Sequence, residues 1–187
     1  MRGRLPVTLA ILGTMAVALT GSHPSQAGAV QVTFPQAKQE AESSKADQLE
    51  GVAMELLSLG DRDSWEQAAE LLERSARLRP EANLSRATSL KIAASLYNWI
   101  GATERARDLL EEAAEHAQEL GALSWAAHTF LDAAVLSAQL KMGRHTVAAT
   151  QAAERLATSP EMPRREREMI EARIEGLNLP LRLAEIM

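Results

Sequence analysis

Small apolar residues recur at helical spacing through most of this chain, most clearly in residues 65–80, WEQAAELLERSARLRP. The residues spaced three and four apart, which place one stripe on one face of a helix, are Ala68, Ala69, Leu71, Leu72, Ser75 and Ala76. Ser64 is a residue type that caps helix N-termini, and Gln67 three residues later completes a capping-box pattern. Pro80 cannot continue a helix. The spacing therefore predicts an amphipathic helix over 65–79.

The same pattern returns twice along the chain, at Ala106, Leu110 and Ala113 and again at Ala148, Ala152 and Pro160. A helix pair with such a stripe cannot bury it alone and must stack on copies of itself. Glycines and short polar turns delimit predicted helices over 46–60, 65–79, 84–100, 103–120, 122–142, 145–158 and 159–176. In the last of these, Ser159 is the expected cap and Pro160 the first helical residue. No segment alternates with period two, so we expect an all-α fold without a sheet.

Residues 1–27 have the features of a secretory signal peptide. Arg2 and Arg4 precede an apolar run over 5–19, and Ser25-Gln26-Ala27 offers small residues where a signal peptidase cleaves. We expect cleavage after Ala27, with Ala29 as the alternative. An uncleaved anchor is the other interpretation, but a run of about fifteen residues is shorter than the ~20 that span a membrane. Export predicts a periplasmic or secreted protein without a stable membrane span.

The remaining chain divides into three predicted segments. Residues 28–45 are polar with little apolar periodicity, so we expect a flexible linker without a fold, in which 37–44 form at most frayed helix. The helical domain covers 46–177. Residues 178–187, NLPLRLAEIM, form an apolar C-terminal tail that folds back on the last helix, pairs with a second copy in a homo-oligomer, or binds a partner.

Composition excludes several classes of function. The chain has no cysteine, which rules out disulfides, thiol nucleophiles and Cys-ligated metals. Its net charge is −5, and signal cleavage removes two arginines and no acidic residue, which makes it −7. A chain without a basic surplus is not expected to bind nucleic acid.

No catalytic motif is present, so we expect a non-enzymatic protein without a cofactor. The mature chain keeps His116, His128 and His145, which fall on three different predicted helices. His116 lies among glutamates and is expected on a solvated face, so we predict no metal site. The mixed-charge run over 164–173 is interpreted as a solvated capping helix, with a docking face for an acidic partner as the alternative.

At these positions the chain resembles a tetratricopeptide repeat (TPR) protein. The family's alanine is matched by Ala68, Ala106 and Ala148, its closing proline by Pro80 and Pro160, and its tyrosine by Tyr97, while its aromatic position is held by Leu72, Leu110 and Ala152. The matched alanines lie farther apart than the family's repeat of about 34 residues, so the chain is similar to a TPR-like relative with longer helices. The resemblance implies a right-handed stack of about three antiparallel helix pairs plus a C-terminal capping helix. It also implies a protein or peptide partner held in a concave groove lined by the first helix of each pair.

The resemblance places a candidate binding stripe on the third helix. Lys91, Ser95 and Asn98 lie at i, i+4 and i+7, and Thr88 lies one turn earlier. In the next unit Ser137 and Lys141 are expected at comparable places, and Trp99 is the tryptophan expected to be partly exposed. These donors and cations suit a carboxylate or a peptide backbone, although ordinary solvated side chains would give the same pattern. We therefore predict an exported bacterial adaptor. The alternative is a periplasmic small-ligand sensor or an accessory domain of an envelope or transport complex, and an enzyme ranks last.

Overall fold

The structure is a computed structural model that describes residues 34–80 and 83–186. It contains seven helices in this part of the chain: α1 (Phe34–Leu59), α2 (Arg62–Leu78), α3 (Leu84–Trp99), α4 (Thr103–Glu119), α5 (Leu123–Gln139), α6 (Gly143–Ala157) and α7 (Arg164–Ile186). The residues described include no strand. From α1 to α6 each helix packs against its neighbours in sequence, and α7 packs on both α5 and α6. The predicted all-α stack of consecutive helix pairs is confirmed, while its right-handed turn stays a prediction.

Three successive turns between helices have the same backbone geometry. In each, an amide bonds the carbonyl five residues earlier: Ala102 to Tyr97 at 2.8 Å, Ala122 to Ala117 at 2.9 Å, and Met142 to Ser137 at 2.8 Å. This hydrogen bond defines a Schellman motif, which needs one residue in the left-handed conformation. Because α4 and α5 have the same length of 17 residues and are followed by like turns, α4, α5 and α6 begin at equal intervals, at Thr103, Leu123 and Gly143. One period of this part of the stack, from the start of α4 to the start of α6, therefore covers 103–142.

The core of the stack consists mainly of alanine and leucine. In α4 the predicted stripe is buried together with its apolar neighbours: Ala106, Leu109, Leu110, Ala113, Ala114 and Ala117. Alanines that are 0% exposed occur in α1 to α6, and such small side chains let neighbouring helices approach closely. The largest buried side chains include Leu72, Leu90 and Leu131, each of which stabilises the fold by about 1.5–3 kcal/mol relative to an exposed position.

The predicted cap of the second helix is wrong. The helix begins at Arg62, and Asp61 is its N-cap, whose carboxylate accepts hydrogen bonds from the Ser64 amide at 2.9 Å and the Ser64 hydroxyl at 2.7 Å. A carboxylate at this place satisfies an otherwise unpaired amide of the first turn. Ser64 therefore lies inside the helix, where it is buried.

The predicted linker is helical from Phe34 onward, so the expectation of no fold is wrong for 34–45. These residues extend α1 without entering the core, because Ala46 is the first buried residue of the helix. Residues with good helix propensity, together with ion pairs such as Lys38 with Glu42 at 3.9 Å, support a helix on a solvated surface. The first part of the linker, 28–33, lies outside the described residues, as do the predicted signal peptide and both cleavage sites.

The last two helices also differ from prediction at their ends. Ser159 and Pro160 form a turn in which the Met162 amide bonds the Ser159 carbonyl at 3.1 Å, and α7 starts after Pro163. The backbone of α7 continues to Ile186, so the predicted tail is not a separate segment but the end of this helix. Among the residues described, no helix is long and apolar enough to cross a membrane.

Candidate interaction groove

Two adjoining cavities lie along the first helices of consecutive pairs, bordered by α3, α5 and α7. The first, about 520 Å³, is lined by Ser124, Trp125 and His128 and by Glu161 and Pro163 from the loop before α7. We call it the Trp125 cavity. The second, about 340 Å³, is lined by Ser95 and Asn98 of α3, Val135 and Gln139 of α5, and Arg173 of α7. We call it the Ser95 cavity. Lys91 lines both, so the two form one groove.

Lys91 crosses from α3 to α5 and is held there by three contacts. Its ammonium lies 2.9 Å from an Asp132 carboxylate oxygen and 3.2 Å from the Thr129 hydroxyl. It also lies 5.1 Å from the centre of the Trp125 ring, within the range of a cation–π interaction. The side chain is about a third exposed, so its charge remains accessible from the groove.

Asp132 connects Lys91 to the capping helix. Its second oxygen accepts a hydrogen bond from Arg173 at 2.7 Å, so two cations share one carboxylate. Arg173 also lies 3.1 Å from Nδ1 of His128. A guanidinium can only donate, so Nδ1 accepts and the proton of the neutral ring is on Nε2. That nitrogen faces the Glu166 carboxylate at 3.4 Å.

Glu166 closes the polar network at the other end of the groove. It accepts a hydrogen bond from the Ser124 hydroxyl at 2.8 Å. The hydrogen bonds from Ser124 and His128 hold the pKa of Glu166 below its ordinary value, so it is a carboxylate at neutral pH. The network ties α7 to α5 and fixes the walls of both cavities, while the Asn98 amide and the Lys91 ammonium remain available as donors. The Ser95 hydroxyl already donates to the Lys91 carbonyl at 3.1 Å, so its oxygen is available only as an acceptor.

The structure brings three predicted site residues together. Lys91, Ser95 and Asn98 all line the Ser95 cavity, on one stripe of α3 as the spacing indicated. Thr88, one turn earlier, is exposed, and its hydroxyl bonds the Leu84 carbonyl at 3.1 Å. It lies on the same helix but is not among the residues that line either cavity.

The expected counterparts in the next unit are wrong. Ser137 is 0% exposed and cannot reach a partner. Lys141 lies in the turn after α5 and lines neither cavity of the groove. The reason is the length of the helix pair, which makes Ser137 the counterpart of Tyr97 and Lys141 that of Gly101. Neither is the counterpart of the Lys91 stripe.

The predictions for Trp99 and His116 have opposite outcomes. Trp99 is 65% exposed, as expected, but its ring packs on Trp65 at 5.7 Å and does not line the groove. His116 was expected on a solvated face, and this prediction is wrong, because the residue is buried and its counterpart in α6 is the buried Leu156. Within the described part of the chain, no three histidine or carboxylate side chains are placed to hold a metal ion.

Sequence reasoning missed four residues of the site: His128, Asp132 and Arg173, which line the groove, and Glu166, which contacts His128. The only signal was the mixed-charge run over 164–173, which contains two of them. Nothing in the spacing of that run indicates that α7 packs on α5, and this packing is what brings the four side chains together.

No protein-family model matches this chain, and no curated protein matches it significantly.

Proposed function

We propose that this chain is an exported bacterial helical-repeat adaptor of the TPR-like kind, which binds a protein or peptide partner in the groove along α3, α5 and α7. The observation that carries the proposal is that two cavities adjoin at one partly exposed cation, Lys91. The proposed role is binding without catalysis. The export signal predicted in residues 1–27 supports a location in the periplasm or outside the cell.

The dimensions of the groove suit an extended peptide. Trp125 and Val135 lie in the two cavities ten residues apart on α5, which is about 15 Å along a helix. An extended peptide covers that distance in four to five residues. Two apolar side chains of a partner can then occupy the two cavities. Between them, its backbone carbonyls accept hydrogen bonds from Lys91 and Asn98, and a backbone amide donates to the Ser95 hydroxyl oxygen.

A second candidate is a small-ligand sensor, which one observation favours. The Trp125 cavity has a volume of about 520 Å³, within the range of small-molecule sites, and its walls are mostly apolar. A small carboxylate with an apolar body would place its charge near Lys91 and its body against Trp125. Such a ligand would quench the fluorescence of Trp125 without engaging the Ser95 cavity.

Site-specific photo-cross-linking in the native envelope tests the adaptor proposal. A photoreactive residue at Ser95 should capture a partner, whereas one at exposed Glu104 on α4 should not. The cross-linked segment, made as a synthetic peptide, should bind the mature chain and lose at least tenfold in affinity with Lys91→Glu.

Lys141→Glu is the matched control because it makes the same change of charge outside the groove. Equal weakening by both variants would show that only net charge matters. Capture at Glu104 but not at Ser95 would place the binding surface on another face.

A further inference from the structure

The second helices of the pairs can be compared position by position. Alignment of α4 on α2 pairs buried Ala68 with Ala106, Leu72 with Leu110, Ser75 with Ala113 and Ala76 with Ala114. Alignment of α6 on α4 pairs buried Ala106 with Thr146, Leu109 with Ala149, Ala113 with Ala153 and Ala117 with Ala157. The junction between α2 and α4 therefore has a direct counterpart in the junction between α4 and α6.

The first of these junctions contains a neutralised carboxylate. Glu73 of α2 is buried and forms ion pairs with two arginines, Arg77 one turn later and Arg105 across the junction on α4. Two guanidiniums thus compensate a carboxylate whose side chain is only 10% exposed. A buried carboxylate without such partners would be costly.

The second junction has the carboxylate without the arginines. The counterpart of Glu73 is Glu111, the counterpart of Arg77 is Glu115, and the counterpart of Arg105 is His145. Glu111 is half-buried, and within the described residues it has neither a hydrogen bond nor an ion pair to its side chain. Burial raises its pKa above the ordinary value, although Arg107 and His145 oppose this at a distance.

A cavity of about 390 Å³ lies where the missing guanidiniums would be. Glu111 and Glu115 line it from α4, His145 and Ala152 from α6, and Phe130 from α5. We call it the Glu111 cavity. Phe130 and the alanines offer apolar contact for an aliphatic stem, and the two carboxylates lie one turn apart on a single stripe of α4.

We propose that the Glu111 cavity binds the guanidinium of an arginine side chain from a partner protein, which supplies the cation that the first junction supplies from Arg77 and Arg105. A planar guanidinium donates two parallel hydrogen bonds to a carboxylate, and a second carboxylate one turn away adds charge complementarity. A metal ion fits less well, because no three histidine or carboxylate groups in the described chain are placed to coordinate one. Arg155 of α6 also lines the cavity, but it forms no ion pair with either glutamate there.

The direct test is titration of the mature full chain with N-acetyl-arginine N-methylamide, followed by nuclear magnetic resonance of backbone amides. The shifts should concentrate around Glu111, Glu115 and Ala152, and the citrulline analogue, which has the same shape without the charge, should produce none. Glu111→Gln should weaken the affinity for the arginine probe at least tenfold. Glu104→Gln, an exposed position on the same helix, should leave binding unchanged.

A second variant separates binding from folding. His145→Arg places an arginine where the first junction has Arg105. It should therefore raise the urea midpoint of unfolding and at the same time weaken the affinity for the arginine probe at least fivefold. Equal binding of the arginine and citrulline probes, or unchanged binding in Glu111→Gln, would overturn the proposal. Free arginine that binds tenfold more tightly than the blocked probe would overturn the assignment to a partner side chain and indicate a small-ligand site instead.

Discussion

Lys141 holds, at the end of α5, the left-handed backbone conformation that Gly121 holds at the end of α4. Their φ angles are 58° and 74°, and each residue precedes the amide that closes the turn by bonding the carbonyl five residues earlier. Gly101 at the end of α3 has the same conformation, with a φ of 88°. The turn thus has the same backbone conformation at Lys141 as at the two glycines, although the Cβ of lysine, which glycine lacks, makes the left-handed conformation unfavourable.

The first prediction concerns this strain. We expect Lys141→Gly to stabilise the fold by about 0.5–1 kcal/mol, because glycine adopts the left-handed conformation without the steric conflict of a Cβ. Urea unfolding monitored by the helical circular dichroism signal measures the change. Lys141→Ala is the matched control, because it removes the charged side chain and keeps the Cβ. An equal gain in both variants would attribute the effect to charge instead.

The same turn explains which parts of the fold the sequence could predict. Apolar spacing identifies α2 to α5, and the glycines at positions 60, 101 and 121 mark three helix ends, because glycine is the residue type that this conformation favours. The sequence pattern places the end of α5 too late because Lys141 occupies the glycine position. Gly143, which is expected from the pattern to form the turn, is the first residue of α6.

That displaced turn also explains the errors in the candidate site. A turn at Gly143 aligns the third unit on Ala148, which is exposed, whereas the counterpart of Ala106 is the buried Thr146. Ser137 and Lys141 enter the predicted groove only through this alignment. The stripe on α3 needs no alignment between units, and Lys91, Ser95 and Asn98 do meet in one cavity. The contact between Asp132 and Arg173 forms only because α7 packs on α5, and local spacing in the sequence does not encode this packing.

The second prediction concerns Glu50, which ties the first three helices together. Its carboxylate accepts hydrogen bonds from Ser75 at 2.9 Å and Ser89 at 2.5 Å, and it pairs with Arg79 at 2.7 Å. Burial raises its pKa, but the hydrogen bonds from Ser89, Arg79 and Ser75 outweigh this and leave the pKa below the ordinary 4.5. We expect Glu50→Gln to destabilise the fold by about 1–3 kcal/mol at pH 7, because charge-assisted hydrogen bonds are lost.

The sign of the pH dependence follows from the lowered pKa. A carboxylate that is harder to protonate when folded stabilises the protein above the unfolded pKa, and this contribution disappears as the pH falls through the folded pKa. The difference in urea midpoint between the wild type and Glu50→Gln should therefore be full at pH 7 and shrink below about pH 4.5. Glu55→Gln, exposed on the same helix, should show no such difference at either pH. A constant difference across this range would contradict the assignment.

The third prediction concerns export. The full chain made in a Gram-negative host should reach the periplasm and lose the segment from Met1 to Ala27. A charged start, an apolar run and small residues at Ala27 are what the export machinery and signal peptidase recognise. Intact-mass analysis should give an N-terminus at Gly28, or at Val30 if cleavage follows Ala29. Replacing Ala27 and Ala29 with bulky residues should block processing. A cytosolic chain that keeps this segment would contradict the prediction.

The fourth prediction concerns the attachment of α7, which forms one wall of the groove. Arg173 bonds Asp132 at 2.7 Å and His128 at 3.1 Å, so one guanidinium makes polar contacts from α7 to two residues of α5. Both members of the Arg173–Asp132 pair are about a third exposed, so Arg173→Gln should lower global stability by no more than about 1 kcal/mol. The local destabilisation of α7 should be larger, because α7 is the last of the described helices and packs mainly on α5 and α6, so that it opens below the global free energy of unfolding.

Hydrogen exchange measures this local opening. With Arg173→Gln, exchange of amides in 164–177 should accelerate at least threefold while that of amides in α3 and α4 stays unchanged. Arg164→Gln is the matched control, since Arg164 pairs with Glu168 on the exposed surface of the same helix at 2.8 Å. Equal acceleration of amide exchange in α7 by both variants would show that the stability of this helix depends on its own surface charges. The contacts from Arg173 to α5 would then not hold the wall of the groove in place.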